Sequence, residues 1–161
     1  MFQAIKQLTV EQLADERQKL RQANKTLVVT NGCFDLLHAG HVCSLELAAQ
    51  QGDVLWVGIN SDKSVQALKG TKRPIYPQAQ RLYLVGALQC VQAVFLFEGS
   101  TCTSELQLIQ PDVYVKSGGY TIETLNPDER RVLEAAHTHI VFLPPVPGLS
   151  TTHTIQAIRE E

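Results

Sequence analysis

Short apolar segments alternate with amphipathic segments along this chain, and this alternation constrains the fold more than any other feature of the sequence. The apolar segments predict strands at residues 27–29, 54–59, 93–97, 113–115 and 139–143. The intervening segments predict helices, among them residues 78–89 and 127–136. Strands that alternate with helices form parallel sheets with right-handed crossovers. We therefore predict an α/β fold built on a doubly wound parallel sheet of five strands.

The length of the chain limits the number of domains. Its 161 residues are enough for one well-buried core and too few for two ordinary domains. We expect a single domain over residues 1–161, with an N-terminal helical extension over residues 1–25 and a core over residues 26–161. Thr9 and Gln12 have the spacing of a capping box, which predicts that a helix begins in the extension.

Charge and cysteine content exclude several classes of protein. The net charge is −2 and the charges are scattered, so we expect neither nucleic acid nor a membrane as a partner. Residues 1–19 lack an apolar signal-peptide core, and no stretch reaches the roughly 18 apolar residues of a membrane span. The four cysteines lack C-x-x-C spacing, which favours separate reduced thiols over a zinc site. We expect a cytoplasmic protein.

A His-x-Gly-His sequence, His38 to His41, follows the first predicted strand. Gly32 permits a sharp turn there, and the two histidines are three residues apart, so their rings can point the same way. In open α/β sheets, ligands bind at this edge. Two facing imidazoles could ligate a metal or donate N–H groups to phosphate oxygens. A metal needs a third ligand, and the nearest candidate, Asp35, is better placed to cap the turn.

Basic and hydroxyl residues near other strand ends favour phosphate over metal. They form three groups, namely Lys69, Lys72 and Arg73 with Arg81; Lys116 beside Gly118; and Ser150, Thr151 and Thr152 at the start of the last helix. Such distributed cations and N–H donors suit a nucleoside triphosphate. The sequence contains no G-x-x-x-x-G-K-[ST] and no G-x-G-x-x-G after the first strand, which argues against a P-loop and a dinucleotide site.

These segments, in their order and spacing, resemble the nucleotidyltransferase superfamily whose His-x-Gly-His loop binds a nucleoside triphosphate. Residues 30–41, 60–62, 68–70, 73–75 and 150–152 carry the resemblance. Within that superfamily the chain is similar to the D-glycero-β-D-manno-heptose 1-phosphate adenylyltransferases, also called ADP-heptose synthases. The resemblance implies a Rossmann-like fold and AMP transfer from ATP to a sugar 1-phosphate, with release of pyrophosphate. It further implies Mg²⁺ with the ATP, a homodimer, and a separate sugar kinase that supplies the acceptor.

The resemblance also implies roles for individual residues. The catalytic set is His38, His41, Lys69 and Arg81. The nucleotide-binding set is Asn31, Gly32, Cys33, Phe34, Gly40, Lys116, Gly118, Ser150, Thr151 and Thr152. The substrate-binding set is Asp35, Asn60, Asp62, Lys72 and Arg73. No residue is assigned to a metal.

Two positions depart from the family pattern and leave alternatives open. Gly119 stands where members usually carry Asp, which leaves the acceptor undefined. Pro145 stands where the sister glycerol-phosphate cytidylyltransferases tend to have Arg, which speaks against a cytidylyl donor. The alternatives are a cytidylyl- or adenylyltransferase for another phosphorylated polyol or alcohol, such as glycerol 3-phosphate, and a catalytically silent nucleotide-binding module.

Trp56 and the charged residues 128–131 are interpreted as structural and not as parts of a site. Trp56, inside an apolar segment, is expected to pack in the core. Asp128 and Glu129, followed by Arg130 and Arg131, predict the solvated start of a helix, where the helix dipole favours negative charge.

Overall fold

The computed structural model describes residues 6–149 and 151–159, which form a parallel sheet covered by helices. The strands are β1 (Gln7–Leu8), β2 (Leu27–Gly32), β3 (Val54–Asn60), β4 (Ala93–Phe97), β5 (Val113–Ser117) and β6 (His139–Leu143). The helices are α1 (Val10–Gln22), α2 (Ala39–Ala49), α3 (Asp62–Lys69), α4 (Gln78–Gly86), α5 (Thr103–Ile109), α6 (Pro127–Ala135) and α7 (Thr151–Arg159). The described helices include none that is both long and apolar enough to cross a membrane.

The strand order is β1-β4-β3-β2-β5-β6, and every neighbouring pair is parallel. The chain runs outward from β2 through β3 to β4 and then returns to β5 on the other side of β2. The order therefore reverses between β2 and β5, and we call this place the switch point. Those two strands pair at Val28 with Val113 and at Val29 with Tyr114. An open α/β sheet binds its ligands at the carboxyl ends of its strands at such a point.

Helices cover both faces of the sheet, as the doubly wound prediction requires. On one face, Leu45 of α2 and Val85 of α4 belong to a buried cluster with alternate side chains of β2 and β3. On the other face, α1, α5 and α6 pack against a cluster that includes Trp56. Trp56 is only 3% exposed, in agreement with its expected packing role. The predicted α/β class and the five predicted strands are confirmed.

The strand count is the one part of the predicted sheet that is wrong, because the sheet has six strands. The additional strand, β1, pairs Gln7 with Val94 and Leu8 with Phe95 at the edge of the sheet. A two-residue edge strand has no apolar run and no periodicity, so the sequence gives no signal for it. Helix α4 also ends at Gly86 instead of Gln89, consistent with the low helix propensity of glycine.

Helix α1 is attached to the sheet by packing and by charge. The backbone N–H of Thr9 donates to Oε1 of Gln12 at 2.8 Å, which is one half of the expected capping box. Leu13 is fully buried among residues from β2, β3 and β4. Nη2 of Arg17 donates to Oδ1 of Asp112 at 2.7 Å, and the other oxygen of Asp112 accepts from the backbone N–H of Leu27 at 2.7 Å. The first helix therefore contributes directly to the core.

We expect Leu13→Ala to lower the free energy of unfolding by about 2–5 kcal/mol, the usual cost of truncating a fully buried leucine. Val10→Ala on the same helix is the matched control, because Val10 is 40% exposed. Chemical denaturation of both variants measures the effect. Equal stability of the two variants would show that α1 packs too loosely to belong to the core.

Candidate active site

A crevice of about 830 Å³ lies at the carboxyl ends of the strands. Its walls come from the ends of β2, β4 and β5, the first turn of α2, the start of α6 and the segment before α7. The crevice therefore occupies the switch point. Its size is within the range of ordinary small-molecule sites.

The strand-to-helix loop after β2 carries the two histidines of the motif. Phe34 has a φ of +47° and is only 8% exposed, and its ring centroid lies 5.4 Å from that of His41. A Cβ atom on Gly32 would lie 3.2 Å from this ring, so the position favours a residue without a side chain. The loop is thus closely packed where it enters α2.

The imidazoles of His38 and His41 are stacked in the crevice, with ring centroids 3.8 Å apart. His38 is the N-cap residue of α2, and its backbone N–H donates to Nδ1 of His41 at 3.3 Å. Because Nδ1 of His41 accepts this hydrogen bond, the proton of the neutral ring is on Nε2. His41 therefore has an N–H donor for a ligand.

Burial keeps both imidazoles uncharged at neutral pH. Burial lowers the pKa of His38. It also lowers the pKa of His41 from its ordinary 6.5 to about 4, with help from the neighbouring His38 and Lys69. The two rings can donate hydrogen bonds to phosphate oxygens, but they do not supply positive charge.

The first turn of α2 can supply both space and positive potential for an anion. This turn contains no acidic residue, and the unpaired N–H groups at a helix start favour negative charge. A Cβ atom on Gly40 would lie 3.0 Å from Nδ1 of His38 and 3.1 Å from Cβ of Leu149. Gly40 therefore leaves room for the His38 ring.

Lys69, the last residue of α3, lines the crevice and is exposed. In the described residues, no carboxylate lies within ion-pair distance of it. Asn60, at the end of β3, also lines the crevice, and its side-chain N–H donates to Oγ of Ser64 at 2.9 Å. Lys69 is thus a cation whose charge remains available to an anion.

Four polar side chains, which we call the Lys116 cluster, lie at the switch point: Asn31, Tyr114, Lys116 and Glu129. Nζ of Lys116 donates to Oδ1 of Asn31 at 2.7 Å and to the Tyr114 hydroxyl at 3.1 Å, and it lies 3.8 Å from Oε2 of Glu129. Glu129 is only 4% exposed, so the expectation of a solvated helix start is wrong at this residue. Its partners come from distant parts of the chain, which the local sequence could not indicate.

Most residues with a predicted role are brought together in the crevice. Those that line it are Asn31, Gly32, Cys33, Phe34, His38, Gly40, His41, Asn60, Lys69, Lys116, Gly118 and Thr151. Their individual roles remain predictions. Lining residues without a predicted role include Phe97, Ser100, Thr101, Tyr120, Leu125 and Glu129. Ser100 and Thr101 follow β4 closely, so the rule that ligands bind after strand ends could have indicated them.

Arg81 does not reach the crevice, which corrects its expected contact with phosphate. It is fully buried, and its guanidinium donates four hydrogen bonds of 2.7–2.9 Å. The acceptors are the backbone oxygens of Cys33, Asn60 and Tyr76 and a carboxylate oxygen of Asp62. Arg81 and Asp62 therefore hold the framework of the site, and Asp62 does not line the crevice either.

Asp35 is also structural in this conformation, which corrects its expected contact with substrate. It is 1% exposed and pairs with Arg73. Its Oδ1 accepts from the backbone N–H groups of Ile75 at 2.6 Å and Tyr76 at 3.1 Å. The carboxylate thus fixes residues 73–76 against the histidine loop.

Three other predicted residues lie away from the crevice. Lys72 and Arg73 line a second cavity of about 480 Å³ together with Thr152 of α7. Ser150 lies outside the described residues.

Gly118 and Gly119 have φ values of +101° and +84°, so an aspartate in place of Gly119 would adopt an unfavourable backbone conformation.

The described residues contain no group of three or more histidine, cysteine, aspartate or glutamate side chains placed to hold a metal ion. Glu129 and Glu123 are carboxylates of the crevice wall, and Glu129 is already paired. A divalent cation in this crevice would therefore take its ligands mainly from a bound phosphate compound, as Mg²⁺ commonly does.

We expect Gly40→Ala to lower kcat by about 10²-fold, the scale for losing a preorganised donor, because the new methyl group displaces the His38 ring. Ala39→Ser is the control, since Ala39 is exposed and does not line the crevice. Turnover measurements and circular dichroism separate a displaced ring from loss of fold. Wild-type turnover of folded Gly40→Ala would contradict this account.

The low pKa of His41 predicts a defined pH dependence. NMR titration of its ring should give a midpoint near 4. Because the unfolded ring has the ordinary pKa, the unfolded state binds more protons between about pH 4 and 6.5, so the free energy of unfolding falls as pH drops through this window. His41→Asn, which keeps an acceptor for the His38 N–H, should remove this part of the slope. A ring midpoint near 6.5 would contradict the burial argument.

The Cytidylyltransferase-like family model matches residues 29–157, which include both histidines and the carboxyl ends of the crevice-lining strands. Among curated relatives, the chain is 39% identical over 92% of its length to Bifunctional protein HldE from Syntrophotalea carbinolica and covers 30% of that protein. It is 44% identical over 94% of its length to Bifunctional protein HldE from Methylococcus capsulatus and covers 32% of it. The chain thus spans less than a third of these relatives.

Solved structures share the fold at lower sequence identity. The lipopolysaccharide core biosynthesis protein from Thermoplasma volcanium has a TM-score of 0.64 at 23% identity, with 76% of this chain and 98% of that chain covered. Pantoate-beta-alanine ligase from Francisella tularensis has a TM-score of 0.58 at 14% identity, with 94% and 75% covered. The family match confirms the resemblance seen in the sequence. The chain belongs to the cytidylyltransferase-like family and is a nucleotidyltransferase.

Proposed function

We propose that this chain transfers AMP from ATP to D-glycero-β-D-manno-heptose 1-phosphate, giving ADP-heptose and pyrophosphate. The observation that carries the proposal is the pair of uncharged imidazoles stacked at the start of α2, inside a crevice that also contains the exposed Lys69. The HldE relatives support the choice of acceptor, as does the resemblance of the motif segments.

In the proposed reaction, an oxygen of the acceptor phosphate attacks the α-phosphorus of ATP in line with the leaving group. A P–O bond forms to the acceptor, and the bond between the α-phosphorus and the bridging oxygen breaks, so pyrophosphate leaves with the electron pair. The attacking phosphate is already ionised at neutral pH, so no general base is needed. Catalysis then comes from orientation and from stabilisation of the developing charge.

Each part of the crevice has a proposed task in this step. Nε2–H of His41 and the His38 ring donate hydrogen bonds to phosphate oxygens, and the start of α2 adds positive potential. Lys69 supplies the positive charge that the neutral rings lack. Arg81 and Asp35 act indirectly, because they hold the loops that carry these groups.

The proposal includes Mg²⁺, which would enter with ATP and would neutralise the phosphate charge that the protein leaves uncompensated. The enzyme would act in the cytoplasm, where ATP is available, and the four unpaired cysteines are compatible with that reducing compartment. We further propose a homodimer. The sugar phosphate would come from a separate kinase.

We expect His38→Ala and His41→Ala each to lower kcat by about 10²–10³-fold, the scale for losing one preorganised donor, with the fold intact. Pyrophosphate release from ATP and D-glycero-β-D-manno-heptose 1-phosphate measures the effect, and circular dichroism reports the fold. CTP in place of ATP, and glycerol 3-phosphate in place of the heptose, test donor and acceptor choice.

Two results would overturn the proposal. One is wild-type turnover in a folded double variant that lacks both histidines. The other is ATP binding by the wild-type protein without pyrophosphate release for any sugar phosphate, as expected of a silent binding module.

A further inference from the structure

The Lys116 cluster occupies the place where the two halves of the sheet separate. Val29 and Tyr114 are the last registered pair between β2 and β5. Asn31 and Lys116 each lie two residues further along, and alternate residues of a strand share a face. Their side chains therefore extend toward the same face, where Nζ of Lys116 meets Oδ1 of Asn31 at 2.7 Å. This contact bridges the separated strand ends at the floor of the crevice.

Glu129 of α6 contacts both residues of the Asn31–Lys116 bridge. Its Oε1 accepts from Nδ2 of Asn31 at 3.2 Å and from the backbone N–H of Cys102 at 2.8 Å. Its Oε2 lies 3.8 Å from Nζ of Lys116 and 3.4 Å from the hydroxyl of Tyr114. Burial and the Glu129 carboxylate raise the pKa of Tyr114, so its phenol stays neutral. One carboxylate thus contacts both strands of the switch point and the start of α5.

The positive charge of Lys116 is compensated, unlike that of Lys69. The side chains of Lys116 and Glu129 are only 13% and 5% exposed, and a buried charge is costly unless it is paired. A phosphate at Lys116 would therefore gain less attraction than a phosphate at Lys69. Two of the three ammonium N–H groups are directed to Asn31 and Tyr114. The remaining N–H group suits a neutral oxygen such as a hydroxyl.

The crevice wall near this cluster has the chemistry of a site for a polyhydroxylated molecule. Ser100 and Thr101 contribute hydroxyl groups, and Leu125 contributes apolar surface. The ring of Tyr120 lies 5.2 Å from Nζ of Lys116 and is 43% exposed. A sugar likewise presents hydroxyl groups and apolar C–H faces together.

We propose that Glu129 is a positioning residue for acceptor specificity, holding Asn31 and Lys116 as a charge-compensated pair that binds hydroxyl groups of the acceptor's sugar. The acceptor phosphate lies instead with the histidines and Lys69. This inference rests on the proposed function, because it requires an acceptor that carries both a phosphate and a sugar. It assigns Lys116 to the sugar and not to the nucleotide phosphates.

The test compares Glu129→Gln with Glu134→Gln. Glu134 is on the same helix, its side chain is 53% exposed, and it pairs only with Arg130 among the described residues. Glu129→Gln keeps an oxygen for the Cys102 N–H but removes the charge that compensates Lys116. We expect the KM for D-glycero-β-D-manno-heptose 1-phosphate to rise about 10-fold, the KM for ATP to change less than 2-fold, and Glu134→Gln to match the wild type.

Inorganic phosphate gives a readout that a merely structural role would not produce. In Glu129→Gln the uncompensated Lys116 attracts anions, so inorganic phosphate should inhibit at about 10-fold lower concentration than in the wild type. The double variant Glu129→Gln with Lys116→Gln should lose this added inhibition. If Glu129→Gln does not fold, the double variant replaces it in the test, because the double variant leaves no unpaired buried charge. In that case the acceptor KM of the double variant is compared with the wild type, and again a selective rise is expected.

Several outcomes overturn the inference. These are an unchanged acceptor KM, an equal rise in the KM values for ATP and acceptor, and unaltered phosphate inhibition in folded Glu129→Gln. If the wild type uses a different sugar phosphate, the heptose proposal fails. The changes in KM for that acceptor and for ATP, measured in Glu129→Gln, then still decide the role of Glu129. If no sugar phosphate reacts, calorimetric titration with the heptose 1-phosphate decides it, and equal affinity of wild type and variant overturns the inference.

Discussion

The buried guanidinium of Arg81 is the interaction on which the geometry of the crevice most depends. A buried charge must find enough acceptors, and here they come from the histidine loop, the end of β3, the start of α3 and the loop before α4. Four segments are therefore fixed to one group. The histidine loop gains a second attachment through Asp35, which binds residues 73–76. Arg81 and Asp35 therefore fix the position of the loops on the side of the site that borders β3.

Charge is distributed unevenly around the crevice, and this distribution divides it by chemistry. The stacked imidazoles are neutral donors, Lys69 is an exposed cation, and Lys116 is a cation whose charge Glu129 compensates. A ligand with a highly charged part and a neutral, hydroxylated part would find a complementary environment for each. Under the proposed role of Glu129, phosphate would be attracted to the Lys69 side of the crevice, and the acceptor's sugar would bind at the Lys116 cluster.

Local sequence patterns predicted five of the six strands, the helices between them and two histidines whose rings point the same way, because strand periodicity and the His-x-Gly-His spacing act over a few residues. They failed where the deciding contact is distant. Glu129 meets Asn31 from 98 residues away, and Arg81 meets Cys33 from 48 residues away. A charged side chain looks exposed until such partners are known. The short strand β1 was not predicted for a different reason, because two edge residues are too few to show a periodic pattern.

The close approach of Leu149 to Gly40 brings the segment before α7 against the first turn of α2. Cβ of Leu149 occupies space next to the position where Gly40 has no side chain, and the ring of His38 occupies the neighbouring space. Leu149 is two residues from the start of α7, whereas Gly40 is in the first turn of α2. Leu149 therefore has no room to move closer to α2 without pressing on Gly40 and the neighbouring His38 ring. The position of Leu149 thus limits both the space above Gly40 and the position of the His38 ring, and both residues line the crevice.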